Sequence, residues 1–168
     1  MTNKPLIYSI ILVAALVQLR LIPHPPNFTP ILAAGIFSGY YFKNFFMSLF
    51  IIILSMFLGD LYLGIHDTMF FTYISLIAVV AVGFYIKKFK SLEILFGGII
   101  SSVCFFIITN FGAWLTLDMY EKSFSGLISS YVLAIPFFQN TLVSTILYLF
   151  LFKFFFEQIL NKTKLLKI

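Results

Sequence analysis

The chain has 168 residues, 61% of them hydrophobic and 10% charged, with 23 Phe and a formal net charge of +5. Soluble domains carry about 45–50% apolar and about 25% charged residues, so a mean hydropathy of +1.06 excludes a water-soluble globule. It points to an integral membrane protein, whose apolar surface is solvated by hydrocarbon. The basic excess then reports orientation rather than nucleic-acid binding.

The expected elements follow in order. A first span covers about 5–22, with Pro5 at a helix start, where its missing N–H has no partner to lose. It resembles a secretory signal but lacks a small-x-small cleavage site, so a retained helix is expected. The run Pro23-His24-Pro25-Pro26 ends that helix. Thr29-Pro30 reads as a cap and first residue opening span 2, about 30–42. Span 2 is short for about 30 Å of hydrocarbon. It needs either the PNFT segment at membrane depth or cover from neighbouring helices. Span 3 covers about 44–61, and span 4 about 68–86 with Asp67 or Thr68 as cap. Span 5 covers about 92–114, capped by Ser91 and Glu93, and span 6 about 136–156. No linker or repeat divides residues 1–168, so one transmembrane domain is expected.

The apolar stretch at about 124–134 is too short to cross and reads as an interfacial or re-entrant helix. Charge supports that count. Six spans with both termini cytoplasmic collect Lys4, Lys43, Lys87, Lys88, Lys90 and the lysines of the tail on one side. Arg20, Lys122, Asp60, Asp67, Asp118 and Glu121 fall on the other. This is the positive-inside bias. The predicted class is an all-α, six-transmembrane-helix bundle in a bacterial cytoplasmic membrane.

On that topology the unusual polar residues gather at the outer ends of the spans: Arg20, His24, Asn27, Asp60, Tyr62, His66, Asp67, Asn110, Trp114, Gln139 and Asn140. Ionisable groups in a membrane face protein or a wet cavity. Asp60 and Arg20 therefore read as an ion pair pinning spans 1 and 3, as ligand contacts, or as both. Asn110 and Trp114, four apart, suit a flat heterocycle, the ring stacking while the amide orients. An interfacial Trp with an interhelical Asn bond is the plainer alternative. Asn140, Ser144 and Tyr148 recur every four residues, a stripe that must face protein or water. Gly35 and Gly39 form GxxxG, read first as internal packing and second as a partner interface. His24 and His66 with Asp60 and Asp67 lack metal-site spacing. Cys104 has no ionisable neighbour in sequence to make it a nucleophile. No metal, cofactor or enzymatic activity is expected.

The segments HPPNFTP, LGDLYLGIH, TNFGAWL and YVLAIPFFQNTL, with Gly39 near the end of span 2, are similar to an uncharacterised bacterial integral-membrane family. They resemble the substrate-binding S components of energy-coupling factor (ECF) vitamin transporters. The resemblance implies a six-helix bundle that captures a vitamin or precursor from the outer side. It implies site residues at His24, Asn27, Asp60, Tyr62, Asn110, Trp114, Gln139 and Asn140. The partners it implies are a transmembrane coupling subunit and an ATPase module. Span 1 departs from the group's Ala-x-x-x-Ala docking pair, carrying Ala14, Ala15 and Gln18. The cobalt and nickel members use a His at position two, which is Thr2 here. The expected function is binding and uptake of a small vitamin-like solute. The alternative is a non-transporting membrane subunit that docks another protein through its polar outer face.

Overall fold

The structure is a computed structural model describing residues 4–165, with side chains over 11–158. Thr2, Lys167 and the side chains of Lys4, Pro5, Lys162 and Lys164 lie outside the described residues. Among these residues there are seven helices and no strand: α1 Lys4–Leu21, α2 Ile31–Phe42, α3 Phe45–Leu63, α4 Met69–Tyr85, α5 Ser91–Thr116, α6 Phe124–Leu133 and α7 Ile135–Leu165. Three stretches are long and apolar enough to cross a membrane: Phe45–Leu63, Ser91–Thr116 and Ile135–Gln158. Large apolar side chains cover the outside, Phe46 at 80% exposure among them. Water would not tolerate such a surface and lipid would.

The short α2 is the axis of the bundle. It touches α1, α3, α4, α5 and α7, and most of its length is buried. Small residues permit this. A Cβ at Gly39 would stand 2.5 Å from Val80 O, and one at Gly83 would collide with the backbone of Ile36. Gly35 likewise faces Val79. The GxxxG pair is therefore internal packing between α2 and α4, which lets two backbones meet closely.

The chain entering α2 explains how 12 residues, about 18 Å of helix, fit the bundle. Asn27 takes a left-handed φ of 61°, which Asn tolerates better than most residues. The turn sends Phe28 against Tyr148 of α7, ring centroids 6.3 Å apart. One residue before the turn, Pro26 O accepts from Asn140 Nδ2 at 3.0 Å. Asn140 and Tyr148 are about 12 Å apart along α7, so the PNFT segment descends beside it. The segment thus lies within the length of α7, and neighbouring helices cover α2 laterally.

The two ends of the bundle differ. At one end Lys43, with φ 50°, turns the chain and donates from Nζ to Phe84 O and Ile86 O. Tyr40 stacks on Phe89 at 4.7 Å, and Phe37 meets Phe89 and Phe152. This end is an aromatic plug, with the exposed Lys87, Lys88 and Lys90 flanking Phe89 in the α4–α5 connection. Asn44 caps α3, its side chain accepting from Met47 N at 3.0 Å. Asn44→Ala is expected to lower unfolding stability by about 1 kcal/mol, measured by thermal melting in detergent.

At the other end, longer connections leave the bundle open. Two expected caps there are not formed. Pro30, expected as the first helical residue, takes the capping position in place of Thr29, and neither it nor Thr68, preceding α4, makes a side-chain capping bond. The Thr68 hydroxyl is instead hydrogen-bonded to His66 Nδ1 at 2.9 Å. Ser91 is the first residue of α5 rather than its cap, and Glu93 Oε2 accepts from Lys88 N.

α6 runs back along α5 at the side of the bundle, with only Gly126 and Ser130 buried and contacts to α5 and α7 alone among the described helices. Tyr131 donates to Ile107 O, about 14 Å in from the end of α5. Phe106 meets both Tyr131 and Phe138. A break at Ala134 separates α6 from α7, and Pro136 supplies no N–H for Val132 O.

Candidate functional site

The buried charge comes first. Asp60, near the end of α3, is 1% exposed. Its Oδ1 accepts from Arg20 Nη2 at 2.5 Å and its Oδ2 from the Tyr73 hydroxyl of α4 at 2.7 Å. Arg20 also donates from Nη1 to Met56 O at 2.9 Å. The preceding Gly59 makes room, since a Cβ there would sit 2.5 Å from Arg20 Nη1. Gly59-Asp60 thus supplies both the space and the counterion for a guanidinium from α1. Three helices are tied by one network, in which both Asp60 oxygens are paired, as low-dielectric surroundings require of a buried carboxylate.

Beside this network lies a cavity of about 660 Å³, a volume typical of small-molecule sites. It opens among the three connections at the open end. His24, His66 and Tyr120 stand at its mouth, and Leu32, Leu76 and Phe105 line its inner part. On α5 the wall follows Phe106, Asn110, Ala113 and Leu117, one face of the helix. The Asn110 amide donates to Phe106 O of its own helix at 2.8 Å, and its carbonyl oxygen has no donor among the described residues. Its bond is intrahelical, unlike the interhelical one expected.

Of the residues singled out in the sequence, Arg20, His24, Asn27, His66 and Asn110 line this cavity. Asp60 lies behind Arg20 and outside the lining. Tyr62 is 77% exposed on the outer side of α3. Asn140 is spent on Pro26 O, and Gln139 and Asp67 are exposed. Trp114 also stays off the wall. Its Nε1 donates to Glu121 O at 2.9 Å, while Lys122 Nζ donates to Trp114 O and Leu117 O at 2.6 and 2.7 Å. These bonds close the α5–α6 connection and satisfy the carbonyls at the end of α5. The structure thus separates Trp114 from Asn110: the wall runs through Ala113, and Trp114 falls beyond its edge.

Two groups escaped the sequence. Tyr73 completes the Asp60 network, but one Tyr in an apolar helix gives no sign of its partner. Thr29, Thr68, Thr72, Thr109 and Thr141 also line the cavity. Thr72, Thr109 and Thr141 each donate to the carbonyl four residues back. A threonine satisfied this way is as compatible with lipid as with a cavity, so its identity alone carries no pointer. Among the described residues no cluster of three His, Cys, Asp or Glu side chains could hold a metal ion.

No curated protein and no solved structure matches the chain. A family description does, across residues 1–166, a stretch that contains the connections rimming the cavity and all seven helices. On that extent the chain belongs to DUF6580, a family of unknown function.

Proposed function

We propose that the protein is a membrane-embedded binding and uptake protein for a small, planar, vitamin-like or precursor metabolite, built like the S components of ECF transporters. The observation that carries this reading is the cavity of about 660 Å³, open at one end of the bundle and backed by the aromatic plug at the other. On this reading six helices cross the bacterial cytoplasmic membrane, and α6 with the three open-end connections covers the solute. Lys43, Lys87, Lys88 and Lys90 at the plugged end favour a cytoplasmic location for it, so the mouth faces outward. The partners are the bilayer, the solute and, as in S components, a transmembrane coupling subunit with its ATPase.

The test is thermal melting of the purified protein with a small-molecule extract of the host cell. A solute at a hundredfold excess over Kd adds about 2.7 kcal/mol, and melting should rise accordingly. Thr109→Phe, which fills the cavity from α5, should fold and lose the response. An equal response in the wild type and Thr109→Phe would rule out this cavity. Failure of the wild type to respond, with a protein co-isolating stoichiometrically, would favour the docking-subunit alternative.

A further inference from the structure

The charge on the cavity wall is one-sided. Among the described residues no Asp or Glu lines it, whereas Arg20 does. Asp60, the counterion of Arg20, is 1% exposed, and each of its oxygens already accepts a bond, from Arg20 and from Tyr73. The cavity therefore meets the positive end of this pair and not its negative end. A guanidinium has five N–H donors. Arg20 uses one on Met56 O and one on Asp60, which leaves three without an acceptor among the described residues. Donors in a membrane interior demand acceptors. Two helices add to the same sign. α2 and α4 begin at the wall, where Ile31 and Thr68 line the cavity, and no side chain caps either start. The N–H groups of their first turns that stay free carry partial positive charge, although Met69 N of α4 is already bonded to His66 O.

From this we infer that the solute is an organic monocarboxylate, held with its carboxylate on Arg20 and its apolar body toward Leu76, Phe105 and Phe106. The inference rests on the uptake reading and names its substrate class. The fork of guanidinium donors matches a carboxylate in two-point contact. A single arginine, part-neutralised by Asp60, suits one negative charge rather than a phosphate dianion. The side-chain carbonyl of Asn110 provides an acceptor for a ring N–H or an O–H on the solute body.

The experiment splits the small-molecule extract on an anion exchanger at neutral pH and measures melting of the full-length protein with each part. The retained fraction is expected to stabilise and the flow-through not. The compound isolated from the retained fraction should lose its effect as the methyl ester, a result independent of any variant's folding. The double substitution Arg20→Gln, Asp60→Asn removes both charges together and should weaken binding of that compound about tenfold or more. Tyr73→Phe, which leaves the guanidinium in place, should retain it. Stabilisation by the flow-through alone, an ester as potent as the acid, or full affinity in the double variant would each overturn the carboxylate while leaving the uptake reading intact. Silence from both fractions would overturn both.

Discussion

Arg20→Ala is expected to destabilise the folded protein by about 3–5 kcal/mol, the cost of leaving a buried charge without its partner. Asp60 is 1% exposed, so its carboxylate relies on protein donors, and with Arg20 gone Tyr73 alone is left donating to it. The loss also frees Met56 O and opens a void against Gly59, where the arginine stem packs. Reversible unfolding in mixed detergent micelles measures the change. The companion measurement decides the cause. Arg20→Gln, Asp60→Asn replaces the ion pair by two neutral amides and should recover most of the loss, as neutral replacements of buried pairs often do. A single variant within about 1 kcal/mol of wild type, the range of an exposed pair, would mean that the network does not hold the three helices together.

The second large effect is expected at Gly83. Gly83→Val would drive a branched side chain into Ile36, whose carbonyl oxygen, carbonyl carbon and Cα are the nearest atoms to a Cβ built there. A flexible side chain could rotate away; helix backbone cannot. The loss should therefore reach or exceed the upper part of the range of about 1–3 kcal/mol that overpacking costs. It should also spread, since α2 contacts five other helices and cannot shift away from α4 alone. Gly97→Ala is the control. Its Cβ would meet only the ends of the Ile86 and Val82 side chains, at 3.1 and 3.4 Å, and should cost little. Equal melting temperatures for the two variants would refute close α2–α4 contact.

Most helix boundaries were legible before any coordinates. The expected span at 44–61 became Phe45–Leu63, and the short segment at 124–134 became Phe124–Leu133. Asn44, the proline run at 23–26 and the apolar blocks between them are local instructions, acting through capping, missing donors and hydrocarbon solvation. The pairing of Arg20 with Asp60 was legible too, because in an apolar chain two opposite charges have few other partners. The depth of α6 was open, since an apolar segment of its length suits a surface position as well as an inserted one. Trp114 illustrates the other limit: periodicity placed it with Asn110, but its indole N–H was claimed by Glu121 O.

Length, apolar content, breakers and charge placement are properties of the chain itself, and they determined a helical membrane bundle with its polar outliers gathered toward one end. Which outliers share a cavity depended on rotation and tilt of whole helices, set where Gly39, Gly83 and Gly59 let backbones and a guanidinium approach. Those contacts join residues far apart in sequence, and no local periodicity encodes them. Only the tertiary structure could therefore put five threonines on the wall, turn Trp114 off it, and hide Asp60 behind Arg20.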